Sequence, residues 1–173
     1  MASRVVRSVV VIAIPEASGL VAPWRGPRTL DAHVTLAAPF VDPELITDRV
    51  IEQLAAVLDP EPSFDVTFRS VGWFGHRVVF LAPAEPEPFE RLAQRLRRTF
   101  LTDPTGVAAP PYTPHLTVAK HRAVAELARA AVTAAAALPL RARAREVDLL
   151  VRDAPSDSWR LRSHVALGGW VTG

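Results

Sequence analysis

Cysteine is absent from this 173-residue chain, which excludes disulfide staples and thiolate metal ligands and permits a reducing compartment. Lysine is nearly absent too: Lys120 is the only one, and the remaining basic residues are all arginine. A formal charge of only +2 therefore coexists with an isoelectric point of about 9.9. Arginine's planar fork matches phosphate, so anionic partners are tolerated, although composition alone names no ligand. Long apolar runs are missing as well, and no stretch is long enough to cross a bilayer. The opening MASRVVRSVVVIAIPEASG superficially resembles a secretory signal, but its apolar run from Val9 to Ile14 is short and Pro15 closes it. Its β-branched residues suit a buried first strand instead. A cytoplasmic protein with no membrane partner is the expectation.

What is present reads as globular: 49% hydrophobic against 22% charged residues, in a length that suits one compact domain over 1–173. Strands and helices alternate along it. Residues 5–14 form a strand, 15–30 a loop with Trp24, Arg25 and Arg28, and HVTL (33–36) a second strand. Ile46, Val50, Leu54 and Val57 recur at helical spacing, predicting a helix over 43–58 with Asp42 as N-cap and Pro43 in the first turn. Residues 64–74 and 77–83 read as strands joined at Gly75-His76, followed by a helix over 86–100. Phe89, Leu92, Leu96 and Phe100 form that helix's inner side, and Arg97 and Arg98 its exposed side. A proline-bearing loop over 102–114 leads to HLTV (115–118), an alanine-rich helix over 123–137, and strands over 140–151 and 159–168.

The two halves follow one plan: a strand carrying His-apolar-Thr-apolar, a helix, then two strands joined by a short turn. The fold class expected is α+β and bilobal, with two pseudo-symmetric lobes. Each lobe would have a mainly antiparallel sheet backed by helices, with a central cleft between them.

Side chains alternate along a strand, so His33 and Thr35 share one face while Val34 and Leu36 share the other. The same holds for His115 and Thr117 against Leu116 and Val118. One H-x-T strand is more often structural than functional. Two copies 82 residues apart, each preceding a helix, are harder to dismiss. Paired imidazoles suit phosphodiester cleavage: one neutral ring takes a proton from the attacking water, and one protonated ring gives a proton to the leaving oxygen. The threonines can donate to the non-bridging phosphate oxygens. No metal or cofactor is expected, since each strand supplies one imidazole and no carboxylate on its face.

HVTL and HLTV resemble the two signatures of the two-histidine (2H) phosphoesterase superfamily, the group of 2′–5′ RNA ligase-like proteins and cyclic phosphodiesterases. The flanking VVVIAIP and PHLTVAK agree with it, and the likeness covers essentially the whole chain. It implies a bilobal fold with both motifs lining a central cleft, and hydrolysis of 2′,3′-cyclic phosphates or 2′–5′ linkages. RNA 3′ ends or small cyclic nucleotides would be the substrates. His33 and His115 would be the acid/base pair, with Thr35 and Thr117 holding phosphate. Ala37-Ala38 departs from relatives that carry larger residues after the first motif, which leaves the neighbouring cleft wall and substrate choice open.

Around the quartet, Lys120 and Arg122 could contact phosphate or ribose, and Tyr112 and Phe40 could stack a base. Trp24, Arg25 and Arg28 would border the cleft. His76, His121 and His164 lack the motif and read as turn or surface residues. The competing function is an RNA- or nucleotide-binding module using the same cleft without turnover; a purely structural domain would bury the two histidines apart. No feature demands an oligomer, and a monomer is expected.

Overall fold

The computed structural model describes residues 6–101 and 111–168. Its elements are β1 (Ser8–Ala13), α1 (Ser18–Val21), β2 (His33–Ala37), α2 (Asp48–Leu58), β3 (Phe64–Phe74), β4 (Val78–Pro83) and α3 (Glu87–Phe100), then β5 (Leu116–Lys120), α4 (Val124–Ala136), β6 (Leu140–Ala144), β7 (Glu146–Val151) and β8 (Arg160–Ala166). The fold is α+β. Among the described residues no helix is long and apolar enough to cross a membrane.

The eight strands of the described residues form one antiparallel sheet in the order β6-β3-β4-β5-β2-β1-β7-β8. The expected one sheet per lobe is therefore replaced by a single continuous sheet. Its halves still mirror each other: the two motif strands, β2 and β5, lie side by side at the centre. The chain halves, however, exchange hairpins. β3 and β4 follow the first motif in sequence but pair beside the second, while β7 and β8 pair beside the first.

The exchange passes through Arg145. Residues 140–151 do not form one strand: β6 pairs with β3 on one side of the sheet and β7 with β1 on the other. The alternation changes phase at this point. Leu140, Ala142 and Ala144 face inward before it, and Val147, Leu149 and Val151 after it. A strand whose buried side flips by one residue cannot continue in the same register.

The helix expected over 43–58 also starts later. Pro43–Leu45 make a single 3₁₀ turn, and α2 begins at Asp48 with Thr47 as its cap, the threonine Oγ1 accepting from Val50 N at 3.4 Å. Asp42 makes no side-chain cap there. The segment 15–24, read as loop, is a succession of short helical turns. Val5 and most of the proline-bearing loop, 102–110, lie outside the described residues.

The core sits on one face of the sheet. Val34 and Leu36 of β2, Leu116 and Val118 of β5, and Val10 and Ile12 of β1 join Leu54 and Leu58 of α2, Phe89, Leu92 and Leu96 of α3, and Leu127 and Ala130 of α4. Burying a leucine or valine of this kind contributes about 1.5–3 kcal/mol. The core thus holds the alternate residues of both motif strands and turns their polar partners to the opposite face.

Candidate active site

The register between β2 and β5 builds the site. Val34 pairs with Leu116 in an antiparallel ladder. Extending that antiparallel register by one residue to either side sets His33 opposite Thr117 and Thr35 opposite His115. The two histidines are diagonal neighbours, about 7–8 Å apart at the backbone and somewhat closer between Cβ atoms. All four side chains line one cleft of about 930 Å³.

Both imidazoles are held in the same way. His33 Nδ1 donates to the Asp31 carbonyl at 2.6 Å, and His115 Nδ1 donates to the Thr113 carbonyl at 2.8 Å. A carbonyl can only accept, so each Nδ1 carries the hydrogen and each Nε2 is left free to take or give a proton. Among the described residues neither threonine hydroxyl has a protein hydrogen-bond partner, which leaves both for a ligand.

The surroundings distinguish the rings. Burial pushes the His33 pKa below the ordinary histidine value, against the backbone bond to Asp31, and the positive charges of Lys120 and His115 lower it further. The shift favours the neutral form of His33. His115 stands against aromatic edges: Phe74 at 4.8 Å between ring centroids and Phe80 at 5.4 Å, both edge-on, with Phe74 and Phe80 stacked on each other at 4.3 Å. Asp31 ties the first motif to the preceding loop. Its carboxylate accepts from Ser18 Oγ at 3.0 Å and Ala32 N at 2.8 Å, and pairs with Arg25 at 3.3 Å.

The other sequence candidates divide. Lys120, Arg122, Trp24, Arg25 and Arg28 all line the cleft. Arg122 bridges its wall, donating from Nε to the Trp24 carbonyl at 3.1 Å and from Nη1 to Glu126 at 3.4 Å. Phe40 does not reach the cleft: it is 3% exposed and packs edge-on against Phe100 at 5.0 Å, so it has no face for a base. Tyr112 lies outside the main cleft, and its hydroxyl is committed to the Thr35 carbonyl at 2.8 Å. That bond positions β2, and burial keeps the phenol protonated by pushing its pKa well up. Arg97, read as an exposed helix residue, is half-buried and lines a smaller adjoining depression of about 370 Å³ with Phe74, Thr35 and His115.

Among the remaining histidines, His121 lines the cleft from a turn in which its φ is +52°. His164 is on β8 between Asp148 at 3.0 Å and Glu146 at 3.3 Å, and His76 is in the β3–β4 turn. Sequence reasoning missed Phe74, Phe80, Arg152 and Trp159. The first two come from strands whose pairing to β5 is not legible locally, although Phe80 lies directly across from Thr117. Arg152 and Trp159 flank the β7–β8 turn and line the cleft's far end with no motif to mark them.

The profile described as "2′-5′ RNA ligase superfamily" matches residues 23–155. A search of curated proteins found no sequence match. Among solved structures, TT0787 of Thermus thermophilus superposes with a TM-score of 0.65 at 21% identity, covering 95% of this chain and 100% of its own. Escherichia coli LigT complexed with 3′-AMP gives 0.58 at 18% identity, covering 93% of this chain and 97% of its own. The same LigT complexed with ATP gives 0.60 at 22%, over 94% of this chain and 97% of its own.

Proposed function

The chain belongs to the 2′–5′ RNA ligase superfamily, and from that premise we propose that it is a phosphodiesterase that opens 2′,3′-cyclic phosphates, at RNA 3′ ends or on nucleotides, by paired-histidine acid/base catalysis. His33, whose neutral form burial favours, accepts a proton at Nε2 from the attacking water as the new P–O bond forms. His115 delivers the proton on its Nε2 to the ribose oxygen as the ring P–O bond breaks. Thr35 and Thr117 donate to the non-bridging oxygens, where negative charge builds in the transition state. Positioned proton transfers of this kind contribute about 10²–10⁴-fold each. Both proton movements are carried by imidazoles, so the scheme requires no metal.

The observation that carries this reading is the crossed quartet. Two imidazoles with Nδ1 tied to carbonyls and Nε2 free stand on one face, each opposite a hydroxyl without a protein partner. Binding alone needs no pair of proton carriers, which sets the reading above a nucleotide-binding module. The test is incubation with 2′,3′-cyclic AMP in EDTA, following ring opening by chromatography. Conversion to a single monophosphate is expected; tight binding without product would replace the enzyme by the binding module.

A further inference from the structure

The quartet is shared unequally between two cavities. His33 and Thr117 line only the main cleft, whereas Thr35 and His115 also line the adjoining depression of about 370 Å³. Displacement at phosphorus keeps the attacking and leaving oxygens roughly in line. With water activated at His33, the departing ribose oxygen is at His115, and the ribose and its base lie on the His115 side. The depression is the cavity on that side, and its volume falls within the roughly 300–1,000 Å³ of small-molecule sites.

Its walls suit a base. Ala37 and Ala38, which stand where relatives carry larger residues, form one side of it, and Ala93 of α3 leaves room on another. Phe74 supplies a flat surface. One face of its ring stacks on Phe80 at 4.3 Å, and the side chain remains 39% exposed and lines the depression. An aromatic face with nothing on it, next to the reacting centre, is a platform for a nucleobase.

Arg97 closes the depression from α3. Its neighbours on that helix are spoken for or turned away: Arg91 and Arg95 pair with the buried carboxylate of Glu61, and Arg98 is exposed. Arg97 itself is half-buried and has no hydrogen bond or ion pair among the described residues. Glu87 and Glu90 line the next depression along with it, yet it pairs with neither. Leu96 and Ala93, buried in the core, hold its backbone in place. A guanidinium partly withdrawn from water presents a rigid fork of donors with no acceptor to meet them, and such donors are costly until one arrives.

We propose that this depression is the base pocket and that Arg97 makes it select guanine, so that the substrate is a 2′,3′-cyclic phosphate on guanosine. Guanine stacked on Phe74 offers the fork two adjacent acceptors, O6 and N7. On the corresponding edge adenine sets an N6 amino donor beside N7, cytosine an N4 amino donor, and uracil a single O4 carbonyl. This rests on the phosphodiesterase reading for the ribose at His115, but the preference for guanine can also be read from binding alone.

The experiment measures kcat/KM on guanosine, inosine and adenosine 2′,3′-cyclic phosphates for the wild type, R97M and R97K. Inosine keeps O6 and N7 and lacks the 2-amino group. Guanosine and inosine should each exceed adenosine by at least about fivefold in the wild type, the discrimination of one bidentate pair. R97M removes every donor and should bring both ratios near unity, while R97K should keep part of them. Because each reading is a ratio, a general loss of folded protein does not imitate the result. Equal turnover of guanosine and adenosine, a preference that survives R97M, or a preference for guanosine not shared by inosine overturns the assignment. Calorimetric binding of 3′-GMP and 3′-AMP to the same proteins separates the two ideas. A 3′-GMP preference lost in R97M, without turnover of any cyclic nucleotide, keeps the pocket and sinks the catalytic reading. Turnover with equal affinities and equal rates does the reverse.

Discussion

Val34 on β2 pairs with Leu116 on β5, and the antiparallel register carried one residue on sets His33 opposite Thr117. Thr35 faces His115 in the same way, so each imidazole has the other motif's hydroxyl opposite it and neither motif is a complete site alone. Residues that act on one phosphate as a unit lose function non-additively. H33A and H115A should each lower kcat for a cyclic phosphate by at least about a hundredfold, and the double variant should be little worse than either. T117V keeps the β-branched shape but removes the donor, and should cost about 10²-fold in kcat. Single-turnover rates on all four proteins check this; losses that multiply in the double variant would show that the rings act independently.

The position of Lys120 beside the first motif gives a pH prediction. The His33 pKa is lowered by burial first and by the charge of Lys120 as well. A base must be neutral, so the acid limb of kcat/KM should fall at a pH below the ordinary histidine value of 6.5. Removing the Lys120 charge relieves part of that lowering, so K120M should move the acid limb to higher pH whatever it does to the plateau. The comparison is a pH–rate profile of the two proteins. A limb that stays in place, or moves to lower pH, would remove His33 from the role of base.

Part of this arrangement is legible in the sequence. Val34 and Leu36 against His33 and Thr35, and their counterparts at 115–118, follow from alternation alone and locate the quartet. The helix over 86–100 was legible because Phe89, Leu92 and Leu96 repeat at helical spacing, and all three are buried. What was hidden is pairing. Nothing local states that β3 and β4 lie beside β5, so Phe74 and Phe80 could not be placed against His115. The phase change around Arg145 was visible in principle but passes for one long strand when only β propensity is counted. Phe40 misled because adjacency in sequence to a motif is not adjacency in space: it follows β2 into the core.

His164 makes a separate prediction about stability. Its Nδ1 meets Asp148 at 3.0 Å and its Nε2 meets Glu146 at 3.3 Å, and the bond to Asp148, with Glu146 adding to it, raises its pKa above the usual 6.5. A raised folded-state pKa contributes stability that is fully present below the unfolded value and is lost as pH rises through the folded one. The ring is about half exposed, so the effect is small. Thermal melts of the wild type and H164Q should differ more at about pH 5.5 than at about pH 9. A gap that is larger on the alkaline side would contradict the ion-pair account.

Gly72 controls His115 at one remove. It lies directly across from Phe80 in the β3–β4 ladder, and a Cβ built on it would fall 2.3 and 2.4 Å from two Phe80 ring atoms. No side chain fits there unless the ring moves. Phe80 in turn stacks on Phe74 and meets His115 edge-on, so displacing it removes one of the two aromatic contacts that fix the imidazole. G72A should cost about 1–3 kcal/mol of stability through overpacking. It should also lower kcat, because an imidazole out of line by an ångström loses much of its effect. F80A should lower kcat as well, by removing the ring outright. If Gly72 acts only through Phe80, the double variant G72A/F80A will match F80A in kcat, because without the ring there is nothing left to displace. Kinetics and melts on the three proteins decide it: if the kcat losses of G72A and F80A instead multiply, Gly72 acts on the site by some route other than the Phe80 ring.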